Sequence, residues 1–172
     1  MRIIAIDPGY ERLGIAVIEK KDAKSKEQLI FSECFFTDAK LPHPTRLANI
    51  GVELDKIIDE YKPDALAVET LFFSKNTKTA MKVAEARGVI LHAAARKKLL
   101  IQEYAPIEIK VAVTGYGKSD KSQVTAMVIR LITISKTIKY DDEYDAIACG
   151  LTFFATFKPH AGTLQKPSYP QK

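Results

Sequence analysis

The sequence predicts one α/β domain, a mixed five-stranded sheet with helices on both faces. Three observations predict it. Up to Thr37 the chain holds three apolar strand patterns joined by turns, with no helical period between them. Beyond that point helical and strand patterns alternate, the order that builds crossover connections onto parallel strands. At 172 residues, with 47% hydrophobic and 27% charged residues, the chain suits a single sizeable core and excludes a disordered class.

Taken in order, Arg2 to Asp7 reads as a buried strand that the Asp7-Pro8-Gly9 turn ends. Leu13 to Lys20 and Gln28 to Thr37 are two more strands, the second rich in aromatic residues, with the lysine-rich "KKDAKSKE" as an exposed hairpin loop. Leu47, Ile50, Leu54, Ile57, Ile58 and Tyr61 then recur at helical spacing until Pro63 stops the helix. Asp64 to Thr70 returns as a buried strand. "LFFSKN" follows as a loop, then a long alanine-rich, basic helix over about 77–98. A fifth strand, Leu100 to Ala105, precedes a short helical piece from Pro106 and the loop "TGYGKSD". Further helices are expected over about 121–134 and 142–157. The domain is expected to span 1–158. The segment 159–172, with turn residues and no period, reads as a frayed or disordered tail. Three antiparallel strands followed by αβ crossovers make this the ribonuclease H-like arrangement.

Composition narrows the partners. No apolar run reaches the ~20 residues that span a bilayer, and "MRIIAID" is too short and too soon charged for a secretory signal. Cys34 and Cys149 lack metal-ligand spacing and sit in apolar segments, so reduced, buried thiols in a cytoplasmic protein are expected. The net charge of +5 is unevenly placed: Leu71 to Lys139 holds 13 basic against 4 acidic residues, +9, and the remainder nets −4. Such a split suits an anionic polymer as partner, or a solvated basic surface.

The carboxylates carry the chemistry. Asp7 and Glu69 each end an apolar strand, and if those strands are parallel neighbours both acids emerge at one sheet edge. Two carboxylates so close repel unless a cation lies between them. At the start of the last helix, Asp142 and Asp145 are three residues apart and share a face, and Asp145 leans toward the sheet. Asp141 or Asp142 is expected to cap that helix. Converging carboxylates without local histidine or cysteine ligands point to a hard cation, Mg²⁺ or Mn²⁺. Two such ions can drive in-line displacement at a phosphodiester. His43, His92 and His160 are scattered, and no nucleophilic triad is supported.

Together, "IIAIDPGYERLGIAVI", "LAVETLFFSKNTKTAMKVAEARGVI", "YAPIEIKVAVTGYGKSDKSQV" and "DDEYDAIACGL" resemble the RuvC family, the bacterial Holliday-junction resolvases, from about Arg2 to Phe154. The resemblance implies a homodimeric, divalent-metal-dependent endonuclease that nicks two opposed strands of four-way junction DNA symmetrically. It implies two ions per site, held by Asp7, Glu69, Asp142 and Asp145, with Asp141 as the alternative third acid. It places the aromatic that stacks near the junction centre at Phe72 or its neighbour Phe73, and two lysines near the scissile region at Lys110 and Lys121. Lys75, Lys78, Lys82, Arg87 and Lys118 are further candidates for phosphate contact. A branch-migration motor of the RuvA and RuvB type is an implied partner.

On the long helix, Ala80, Ala84, Gly88, Ala93 and Ala94 offer a small-residue stripe for a dimer contact, with Val83, Ile90 and Leu91 left for the core. The rival readings are a ribonuclease H-like nuclease acting on RNA precursors, an actin-like kinase (for which 172 residues are too few), and a DNA-binding module without activity.

Overall fold

The computed structural model describes residues 1–70 and 77–158, with side chains in the long helix described from residue 79 onward. The three leading patterns form an antiparallel meander of β1 (Arg2–Asp7), β2 (Arg12–Glu19) and β3 (Gln28–Phe36). β4 (Ala65–Glu69) joins β1 in parallel and β5 (Leu100–Tyr104) joins β4 in parallel. The resulting order, β3-β2-β1-β4-β5, puts β1 at the centre. The helices are α1 (His43–Tyr61), α2 (Thr77–Arg96), α3 (Pro106–Thr114), α4 (Lys121–Leu131) and α5 (Asp141–Thr156).

Several ends differ from expectation, for local reasons. α1 begins at His43, four residues before the first apolar position Leu47, because Pro44 fits the first helical turn, where no amide donor is needed. α2 stops at Arg96, and Lys98 takes a left-handed conformation with φ 58° to enter β5. The short helical piece expected after Pro106 is a full nine-residue helix. α4 ends at Leu131 rather than near Ile134, since Ile132 turns extended and buries its side chain. α5 starts at Asp141, and its cap residue is Tyr140 with no side-chain cap bond, so neither Asp141 nor Asp142 caps it.

Strand alternation divides the core into two layers. Ile4, Ile6, Leu13, Ile15, Val17, Leu66 and Val68 face α1 and α2 and meet Ile50, Leu54, Ile57 and Ile90. Ile3, Ala5, Ala16, Ile18, Ala65 and Ala67 face the other way, onto α3, α4 and α5. This second face is rich in alanine, which lets α5 lie close to the sheet. A Cβ on Gly150 of α5 would come 2.7 Å from Ile18 Cδ1 and 3.0 Å from Ala5 Cβ. A Cβ on Gly14 of β2 would stand 1.9 Å from the backbone oxygen of Asp142. These glycines therefore set how near the start of α5 comes to β1 and β2, the contact on which the site depends.

Both cysteines are free thiols. Cys149 is buried in α5 as expected, but Cys34 is only half-buried, at the sheet surface beside α5. Among the described residues no helix is long and apolar enough to cross a membrane.

Candidate active site

Asp7 and Glu69 meet because of register. β1 and β4 pair in parallel up to the rung Ile6–Val68, and the next residue on each strand is the acid. Counting back by twos, Asp7 follows Ala5 and Ile3, and Glu69 follows Ala67 and Ala65, so both carboxylates rise on the α5 face. Beyond Asp7 the chain turns sharply: a Cβ on Gly9 would lie 2.0 Å from the Arg12 carbonyl oxygen, so the Pro8-Gly9 turn requires glycine. Burial is the main cause that pushes the Asp7 carboxyl well above its ordinary pKa, followed by the charges of Glu69, Asp145 and Asp142. Burial and the Asp145 charge push Glu69 up to about 7. Among the described residues neither acid gains a hydrogen-bond donor to offset this.

α5 delivers the remaining acids and sorts them. Asp142 sits over Gly14 on the β2 side, its Oδ2 3.4 Å from Arg12 Nε and 3.9 Å from Cys34 Sγ. Burial, and then the Asp142 charge, raise the Cys34 thiol to about 11, which keeps it protonated. Asp145, one turn on, is half-buried, and its pKa is raised chiefly by burial. Lys121 Nζ donates to Asp145 Oδ2 at 3.2 Å and to Asp141 Oδ2 at 2.7 Å. The bond from Lys121 lowers the Asp141 pKa and holds that side chain at the surface. Of the two candidates for the third acid, Asp142 is the one whose charge raises Asp7. Glu143 points away from this group and is buried against β3, where Ser32 Oγ donates to it at 2.5 Å and Lys136 Nζ lies 2.5 Å away.

Beside the acids is a cleft of about 150 Å³ lined by Glu69, Ile109, Lys110, Lys121, Val124 and Asp145. Two expected lysines, Lys110 and Lys121, thus flank two of the expected acids. Lys121 opens α4 behind the Asp120 cap, which accepts from the Gln123 amide. Lys118 stands exposed in the turn between α3 and α4, outside the lining of the cleft. Arg87 does not project as a phosphate contact: it is ion-paired with Glu103 of β5. Lys82 Nζ lies 5.2 Å from the centre of the Tyr10 ring. Phe72, Phe73 and Lys75 lie outside the described residues, as does the side chain of Lys78.

The acids converge on one edge without closing into a cage. Among the described residues no three potential ligands meet at a common point. Lys110 and Lys121 bring positive charge beside them, and burial first, then the neighbouring carboxylates, disfavours the charged forms of Asp7 and Glu69, a cost that a cation held here would offset. All the candidate donors are carboxylate oxygens, which fits a hard divalent ion. Two residues of this neighbourhood went unassigned in the sequence reading, Arg12 and Gly14. Glycine inside an otherwise apolar strand is a signal of close backbone approach, and it was available at Gly14.

A family model for the crossover junction endodeoxyribonuclease RuvC matches residues 3–153. The chain belongs to the RuvC family. The RuvC protein of Petrotoga mobilis is 44% identical over 161 residues, covering 92% of this chain and 98% of that protein. The one from Thermosipho melanesiensis is 46% identical over 148 residues, 86% of this chain and 93% of its own. Among solved structures, Thermus thermophilus RuvC superposes with a TM-score of 0.81 at 29% identity, covering 90% of this chain and 94% of that one. The same protein in complex with a Holliday junction substrate also gives 0.81, at 31% identity, covering 88% and 92%. These RuvC matches carry the ribonuclease H-like fold across the whole described sheet. They do not favour an RNA-processing nuclease or an actin-like kinase.

Proposed function

We propose that this chain is a structure-specific endodeoxyribonuclease that resolves four-way DNA junctions by paired symmetric nicks, working as a homodimer with two divalent cations, Mg²⁺ or Mn²⁺, at each site. One observation carries the reading: Asp7, Glu69 and Asp145, with Asp142 beside them, converge at a single sheet edge in a chain of the RuvC family. Asp7, Glu69, Asp142 and Asp145 would hold the ions. When bound, those ions supply Lewis-acid polarisation of the phosphodiester, activation of water and stabilisation of the departing oxygen.

The chain's own groups do the rest. The buried strands hold Asp7 and Glu69 rigidly, so little reorganisation accompanies substrate docking. Lys110 and Lys121 supply positive charge where a phosphate enters the cleft. Lys121 has a second part: its bond to Asp145 holds that carboxylate at the site, and Asp145 would exchange it for an ion when one is bound. The place of Phe72 or Phe73 in the sequence, three or four residues after Glu69, suits a ring that stacks at the junction centre, and Lys75, Lys78 and Lys118 suit phosphate contact. For the dimer, α2 offers an outward strip that includes Met81, 68% exposed, and Gly88, where an added Cβ meets nothing. Ala93 and Ala94 do not contribute, being buried against the sheet. Two-fold symmetry would set two such sites against two opposed strands. A branch-migration motor of the RuvA and RuvB type and a cytoplasmic setting complete the reading.

The deciding experiment compares a synthetic four-way junction with linear duplex, hybrid and RNA, in Mg²⁺ and in chelator. Paired symmetric nicks confined to the junction are expected. Cleavage of RNA alone, or activity that survives chelation, overturns the proposal.

A further inference from the structure

Phe36 ends the edge strand β3 with 47% of its surface exposed, although it is a large apolar ring. It packs edge-on against Tyr140, with centroids 4.8 Å apart and planes at 67°. Neither ring belongs to either core layer. Cations frame the pair. Lys139 Nζ lies 5.3 Å from the centre of the Tyr140 ring. Arg12 is the cross-strand partner of Phe36, and its Nε stands 3.4 Å from Asp142.

The patch is continuous with the acid cluster. Tyr140 is the residue that caps α5, two positions before Asp142. β3 and β5 are opposite edges of the sheet. The Lys110 and Lys121 cleft opens beside Glu69, on the β5 side of Asp7, and the ring pair lies on the β3 side. A strand laid across the carboxylates from the lysine cleft therefore runs onto Phe36 and Tyr140. An apolar protein partner would have to desolvate Arg12 and Lys139, whereas a polyanion with flat aromatic bases satisfies rings and cations together.

We propose that Phe36 and Tyr140 form a stacking platform for an unpaired base of the DNA strand that crosses the acid cluster, with Arg12 and Lys139 facing its phosphates. This rests on the nuclease reading and adds a subsite to it. The platform unstacks a base next to the phosphate over the acids and holds the strand from its far side.

The test uses the full chain in chelator, so that nothing is cut. The probes are a four-way junction and a plain single strand, each carrying 2-aminopurine beside the expected cut position. Wild-type protein is expected to change the 2-aminopurine fluorescence on binding. The F36A/Y140A double variant is expected to bind roughly tenfold more weakly and to lose that change, while F36W keeps both. Thermal melting of each variant separates this from a packing defect. A double variant that binds both probes within twofold of wild type, with the fluorescence change intact, overturns the platform. So does a fall in melting temperature with DNA binding unaltered. If the wild type shows no preference for the junction, the junction-resolving reading fails, and the single-strand comparison still decides the platform.

Discussion

Replacing Glu69 by Gln removes a charge that the folded state holds at a cost. The unfolded glutamate has an ordinary value of 4.5, and burial and Asp145 push it to about 7 in the fold. Because the folded pKa of this acid is raised, the folded state binds the extra proton between those values. Stability therefore falls as pH rises through that window and levels off above it. A shift of that size corresponds to about 3 kcal/mol at pH 8. Glu69 also raises Asp7, so its removal relieves a second carboxylate with the same sign. Metal-free E69Q is accordingly expected to match the parent near pH 4 and to exceed it by about 3 kcal/mol at pH 8. For a chain of this size that is a gain of roughly 6–12 °C in Tm. Denaturation in chelator at a series of pH values, plotted as variant minus parent, reads it directly. Adding Mg²⁺ should reverse the order, because the parent gains stability by binding and E69Q does not. A flat difference curve, or a variant less stable than the parent at pH 8 without metal, refutes the reasoning.

Asp7→Asn keeps the shape of the strand end and removes its charge, so junction cleavage should vanish while gel-shift affinity in chelator stays within a few-fold; loss of both in a folded protein assigns Asp7 another task. Gly14→Ala drives a methyl to 1.9 Å from the Asp142 carbonyl oxygen. It should cost about 1–3 kcal/mol in denaturant titration and, by displacing Asp142, depress cleavage more than junction binding. Glu143→Ala strips a buried acceptor from Ser32 and Lys136. A loss of about 1–3 kcal/mol is expected without a change in metal-dependent stabilisation, and a selective loss of metal response would move Glu143 into the site.

The strands, and the places where Asp7 and Glu69 stand, were legible in the sequence for a simple reason. A carboxylate that closes a run such as Ile3 to Ile6 or Ala65 to Val68 is conspicuous, because local apolarity and the following turn are written in adjacent residues. The inward lean of Asp145 was legible from helical spacing. Helix ends were read less well. Ile132 leaves α4 because a core site across the fold accepts its side chain, and Tyr140 rather than an aspartate opens α5. Arg87 looked like a surface cation until β5 supplied Glu103 beside it.

Patterns within single segments thus determined the strands, the apolar runs that become the core, and the strand-end and helix-start positions of the acids, whereas the sheet order β3-β2-β1-β4-β5 came from pairing between segments. Only the tertiary structure decided how Asp141, Asp142 and Glu143 divide their work. Helical spacing separates them by angle, but what each angle meets belongs to distant segments. Lys121 draws Asp141 outward, Arg12 lies against Asp142, and Ser32 with Lys136 buries Glu143. Gly14 makes room for that division, since a single added carbon there would lift the start of α5 off the sheet. Charge and van der Waals contact act between groups near in space, and that nearness exists only once the chain has folded.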